Sequence, residues 1–120
     1  MPLETKIVEL GDIRITVRQA DLRTGFRRGR MIRELVLEPD LNGTDPDLAN
    51  VRYIYIDLAC GTEAVEGMDW PVEVAAFEAF TDEWFDAVGW FWLQAVRDVN
   101  PHWDPSREAD AQGEAPAAAG

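Results

Sequence analysis

The residues able to do chemistry are few. The chain has one histidine, His102, and one cysteine, Cys60, among 120 residues. Nucleophilic or acid–base catalysis needs a base held within hydrogen-bond reach of its partner. His102 belongs to no such Ser or Cys pattern, so a catalytic role would have to draw on carboxylates. With 23 Asp and Glu, carboxylate pairs occur everywhere, and a two-carboxylate mechanism selects none of them. No P-loop, GxSxG or GxGxxG occurs. The lone cysteine excludes an internal disulfide and a cysteine-based cluster, and a zinc site would need carboxylates for most of its ligands. The chain is therefore expected to be no enzyme and to use no metal or cofactor.

The chemistry left is that of binding. Residues 84–103, WFDAVGWFWLQAVRDVNPHW, hold four of the five tryptophans. At about 100° per residue, Trp84, Phe85, Val88, Phe91, Trp92, Ala95, Val96 and Val99 share one broad arc, which reads as core. The opposite side holds Asp86, Gln94 and Arg97, but also Trp90 and Leu93. Two large apolar side chains on a polar face form an exposed patch unless another element covers them, and Trp and Arg are enriched where binding energy concentrates. Trp90, Leu93, Arg97 and Asp86 are thus the candidate partner-binding residues. His102, just past the helix end, reads more simply as help for the last carbonyls, with Trp103 folding back on the helix.

These residues need a scaffold. Lys6 to Arg18 reads as a β-hairpin about Gly11-Asp12, with Leu10 opposite Ile13, Val8 opposite Ile15 and Glu9 opposite Arg14. Asp21 reads as the N-cap of a helix running to about Glu38 and stopped by Pro39. On that helix Leu22, Phe26, Ile32 and Val36 gather on one side and Arg23, Arg27 and Arg30 on another. The three arginines are either a solvated stripe or a surface docked on an acidic neighbour or on the chain's own acidic half. Arg33 falls within the apolar side, with its head in water or in a buried pair with Asp57 or Asp86. Asp45 and Pro46 start a middle helix in which Leu48, Val51, Tyr55, Leu58 and Ala59 share a face. Its VRYIYIDL run is rich in strand formers, yet the Asp-Pro-Asp start and the length favour helix. Residues 61–70 read as acidic and irregular. Pro71 opens a short helix through Val74, Phe77 and Phe80. Thr81 caps the last helix, which must end near Asn100 because Pro101 follows. After Pro105 the sequence turns small and polar, the signature of a flexible tail.

The expected class is mainly α (α+β): a small N-terminal hairpin, 6–18, on a bundle of about four helices, as one domain over 1–103 with a flexible acidic, Ala-rich tail over 104–120. A net charge of −12 sits unevenly, with nine basic and ten acidic residues in 1–60 against two and thirteen in 61–120. Such a surface repels phosphate backbones, which speaks against nucleic acid. No apolar run approaches the roughly 20 residues of a membrane span. No basic-then-apolar secretory leader is visible at the N-terminus, so a cytoplasmic location is expected.

An order of elements now stands out. It runs from a hairpin ending Ile15-Thr16-Val17-Arg18 through an Arg-rich helix and a middle helix to Trp70-Pro71-Val72. Phe77-Glu78-Ala79-Phe80, Glu83-Trp84, Ala87-Val88 and the closing Asn100-Pro101-His102-Trp103 follow. Over residues 5–103 this resembles the tail assembly chaperones of long-tailed phages and prophages; the chain departs from them in its very aromatic last helix and the β-rich look of 51–58. The resemblance implies a small, helical, non-catalytic protein that binds the hydrophobic tape measure protein and keeps it soluble while tail tube proteins polymerise around it. Read from the residues alone, the alternative is a self-associating structural or adaptor protein, a homo-oligomer seamed by Trp90 and Leu93.

Overall fold

A computed structural model of the chain describes residues 3–70 and 73–104. Strands β1 (Thr5–Leu10) and β2 (Ile13–Arg18) form the expected hairpin. Leu10 faces Ile13, Val8 faces Ile15 and Glu9 faces Arg14. Gly11 takes the left-handed φ of 63° that a tight two-residue turn requires. The protein is α+β, as its residue pattern predicts, but its sheet has three strands.

Strand β3 (Thr62–Glu66) pairs antiparallel with β2 and gives the order β1-β2-β3. The expectation of an irregular 61–70 segment is corrected here. Val65 meets Ile15, Glu66 meets Arg14, and a bulge between Thr16 and Val17 brings Thr62 opposite Val17. TEAVE has only one large apolar residue, so its strand form comes from the open edge of β2 rather than from local pattern. β2 becomes the central strand, with Ile15 and Val17 fully buried. Gly67, just after β3, sits at φ 95°, and a side chain there would meet the Asp12 carbonyl. Only glycine suits that close return to the hairpin turn.

Helix α1 spans Leu22–Ile32 and is capped by Asp21, whose carboxylate accepts from the Thr24 N–H at 2.8 Å. That backbone bond holds the Asp21 carboxyl below its usual range. The helix continues through one wide π turn, Arg33–Leu37, closed by the Glu38 N–H on the Arg33 carbonyl. A π turn carries one extra residue, which rotates everything after it by about 100° relative to a regular helix. Val36 therefore aligns with Thr24, Arg28 and Met31 on the inner side. Leu22 and Phe26, expected beside Val36, are instead 78% and 72% exposed. Arg33 lies on the outside, 3.7 Å from Glu38, and pairs with neither Asp57 nor Asp86.

After the short α2 (Leu41–Thr44), helix α3 (Pro46–Gly61) runs through the centre. The Asp45 carboxylate accepts from the Leu48 N–H, and Pro46 occupies the first turn, as the Asp-Pro start implies. α3 touches α1, α4 (Val74–Glu78) and α6 (Trp90–Val99). Its second half is thus buried on several sides, including Ile56, Asp57, Leu58 and Cys60. The short helix starts at Val74, after an extended Glu73, and ends at Glu78 before Phe80, which corrects the expected start at Pro71; Pro71 itself and the expected tail beyond Asp104 lie outside the described residues.

The last helix also contains a π turn. α5 (Asp82–Trp84), capped by Thr81, passes through the wide turn Phe85–Gly89 into α6. The one-residue phase shift moves Leu93 inward, to 2% exposure, and Phe91 outward, to 53%. Both outcomes correct the regular-helix projection, which had Leu93 on the outer face and Phe91 in the core. The core fills with Phe77, Trp92 and Val96, and the Trp92 Nε1–H donates to Thr62 Oγ1 at 2.9 Å, tying α6 to β3.

Candidate functional site

At the end of α6 the shift places Asn100, fully buried, where it links three segments. Its Oδ1 accepts from the Ala20 N–H at 2.8 Å, and its Nδ2 donates to the Arg18 and Val96 carbonyls, each at 3.1 Å. Asn100, not His102, serves the helix end. His102 is exposed on the short 3-10 turn Pro101–Trp103, beside the Trp103 ring. Trp103 does fold back into the core, and the Arg28 guanidinium lies 4.6 Å above its ring.

Arg28 belongs to an ionic group that the sequence did not disclose. Asp57, buried on α3, accepts from Arg28 Nε at 2.7 Å through Oδ1 and from Arg97 Nη2 at 3.2 Å through Oδ2. Three helices are thereby joined around one carboxylate. Two guanidiniums thus face one buried carboxylate, on a protein of net charge −12. The signal lay in the spacing of Arg28 with Thr24 and Met31, but it emerges only once the π turn sets the inner face of α1.

This group forms the floor of a groove of about 530 Å³ whose walls include Tyr53, Ile54, Trp90 and Trp103. A second groove, of about 480 Å³, lies between α3 and the last helix and is lined by Val51, Ile54, Phe85 and Asp86. Trp90 lines both grooves and is 49% exposed. Its ring leans on Phe85, with centroids 5.6 Å apart. Of the four residues singled out by pattern, Trp90 and Arg97 share the first groove and Trp90 and Asp86 the second. Leu93 is brought to neither. The arrangement offers an apolar ridge between two troughs, one lined by the Arg28–Asp57–Arg97 group and one with acidic edges at Asp82 and Asp86. That shape suits an extended or helical apolar segment.

Cys60 lines neither groove. Its Sγ is 3.7 Å from Met31 Sδ. Burial pushes its thiol above the ordinary value, Arg27 and Arg28 oppose the rise and Asp57 adds to it. The native thiol is expected to alkylate about a hundredfold more slowly than the urea-unfolded one, measured with iodoacetamide. The unfolded thiol ionises first, so stability is unaffected below the ordinary thiol range and falls as pH rises above it.

Among the described residues no group of three or more His, Cys, Asp or Glu side chains is placed to hold a metal ion, and no helix is long and apolar enough to cross a membrane. Compared with family models, with curated proteins and with solved structures, the chain matches none of them.

Proposed function

We propose that this protein is a non-catalytic tail assembly chaperone of phage or prophage type, working in the cytoplasm of the bacterial host, where it shields apolar helices of the tape measure protein during tail tube assembly. The observation that supports this most directly is Trp90, half exposed on the ridge between two open grooves. About half of an indole's roughly 200 Å² is free, and covering it is worth roughly 2–3 kcal/mol. The acidic surface adds colloidal stability to a complex with a greasy partner. The likeness in element order supplies the identity of that partner; the grooves supply only its chemistry.

Co-expression with a phage tape measure protein, the partner named by the likeness, tests the proposal. The wild-type chain is expected to hold that protein in the soluble fraction. Trp90→Glu is expected to weaken capture about 30- to 150-fold, the equivalent of 2–3 kcal/mol, while circular dichroism and Tm stay near wild type. Undiminished capture by the variant, or no capture by the wild type, sinks the proposal. Sedimentation of the pure protein separates the rival assignment: an oligomer that Trp90→Glu dissolves makes the ridge a homomeric seam.

A further inference from the structure

The outer face of α1 shares no residue with the two grooves at Trp90. Leu22 and Phe26, one turn apart, stand out from it, and they border a trough of about 640 Å³ with Arg23, Arg27 and Arg30. α1, LRTGFRRGRMI, contains four arginines and no acid. Among the described residues Arg28 alone of these four forms an ion pair; Arg23, Arg27 and Arg30 form none, on a protein with twice as many acids as bases. Gly25 and Gly29, four apart on the same side, have nothing within 4 Å of where a Cβ would sit. Neither has the positive φ that would demand glycine. Two glycines inside an eleven-residue helix weaken it relative to alanine, and nothing within the described fold uses the space they leave.

We propose that this face of α1 is a docking surface for an acidic amphipathic helix of another polypeptide. The glycine shoulder admits a helix backbone close to α1, Leu22 and Phe26 supply the apolar anchors, and the three free guanidiniums meet carboxylates along its edge. Charge decides among occupants. A second copy meeting the face symmetrically would set arginine rows against each other, and a second copy docking an acidic surface there would make a heterologous contact, which builds a ring or a filament rather than a symmetric dimer. Anionic lipid and nucleic acid are extended charged surfaces that would also meet the acidic remainder of the molecule, whereas a single helix can lie along the α1 face alone.

The test uses two labelled synthetic peptides of about 18 residues, about five helical turns, each with a Leu/Ala stripe, one flanked by Glu and the other by Lys. The Glu peptide is expected to bind the whole protein, at least about tenfold more weakly to Arg27→Glu/Arg30→Glu and to Phe26→Ser, and more weakly as salt rises from about 0.05 to about 0.5 M. The Lys peptide is expected not to bind. All three positions are exposed, so circular dichroism of the variants should match wild type. Equal binding of the two peptides, no binding of the Glu peptide at about 1 mM, or indifference to the variants overturns the proposal. So does binding only to phosphatidylserine vesicles, or a dimer in sedimentation that Phe26→Ser dissolves.

Discussion

Phe77→Ala is expected to lower the unfolding free energy by about 3–5 kcal/mol, the range for emptying a buried phenylalanine site. Phe77 is fully buried on the short α4, and its ring lies 5.3 Å from Tyr55, 5.5 Å from Phe80 and 5.5 Å from Phe85. Trp84 meets it edge-on at 6.1 Å. The residue joins the middle helix, its own helix and the start of the last helix, so a cavity there cannot close by moving one side chain. Its ring contacts place the cost toward the upper end of that range. Urea unfolding followed by tryptophan fluorescence measures it. Phe91→Ala is the matched control: half exposed, it should cost less than about 1 kcal/mol. Equal losses from the two substitutions would contradict the phase that the π turn imposes on the last helix.

The second large effect is expected at Asp57. Asp57→Ala removes the buried acid that Arg28 and Arg97 share and should cost about 3 kcal/mol, the lower end for breaking a buried pair. The lower end applies because the arginine side chains keep 21% and 19% of their surface exposed, so water still reaches them. Replacing all three together, Arg28→Met, Asp57→Leu and Arg97→Met, should recover most of the loss, because no uncompensated charge then remains. Thermal unfolding at low and high salt checks both variants. A triple variant as unstable as Asp57→Ala would mean that packing, not charge, is what the site provides. Because the cluster lines the groove at Trp90, Asp57→Ala should also weaken partner capture, since the carboxylate that positions Arg28 and Arg97 is gone.

Much of the scaffold was legible because it rests on local rules. The hairpin register follows from period-two alternation about a Gly-Asp turn, and each pairing concerns residues close in sequence. The caps at Asp21, Asp45 and Thr81 follow from side-chain oxygens meeting the free amides of a first turn. The α3 helix was favoured over a strand by its Asp-Pro-Asp start, despite VRYIYIDL, and α3 has that form. The stop at Asn100-Pro101 is where α6 ends. What could not be read there is that Asn100 is a buried clamp, since its partners Ala20 and Arg18 lie about eighty positions away.

The candidate site was legible in part. Trp90 remains outward with Arg97 and Asp86 near it, whereas Leu93 left the patch and Leu22 and Phe26 opened another. One cause explains both changes. A hydrophobic projection assumes a constant 100° per residue, and a single π turn displaces that phase by one residue for the rest of the helix. Nothing in RELVL or FDAVG marks such a turn; it forms where packing against the neighbouring elements is better with the extra residue. β3 has the same kind of origin, a weak local pattern completed by the open edge of β2.

The sequence by itself determined the hairpin, the starts of α1, α3 and the last helix, and the stops before Pro39 and Pro101, because caps, prolines and alternation act within a few residues. Only the tertiary structure decided which faces of α1 and α6 point inward, that a third strand forms, and that Arg28 and Arg97 converge on Asp57. Those outcomes depend on contacts between distant segments, and the energy separating one helix phase from the next is spread over all of them.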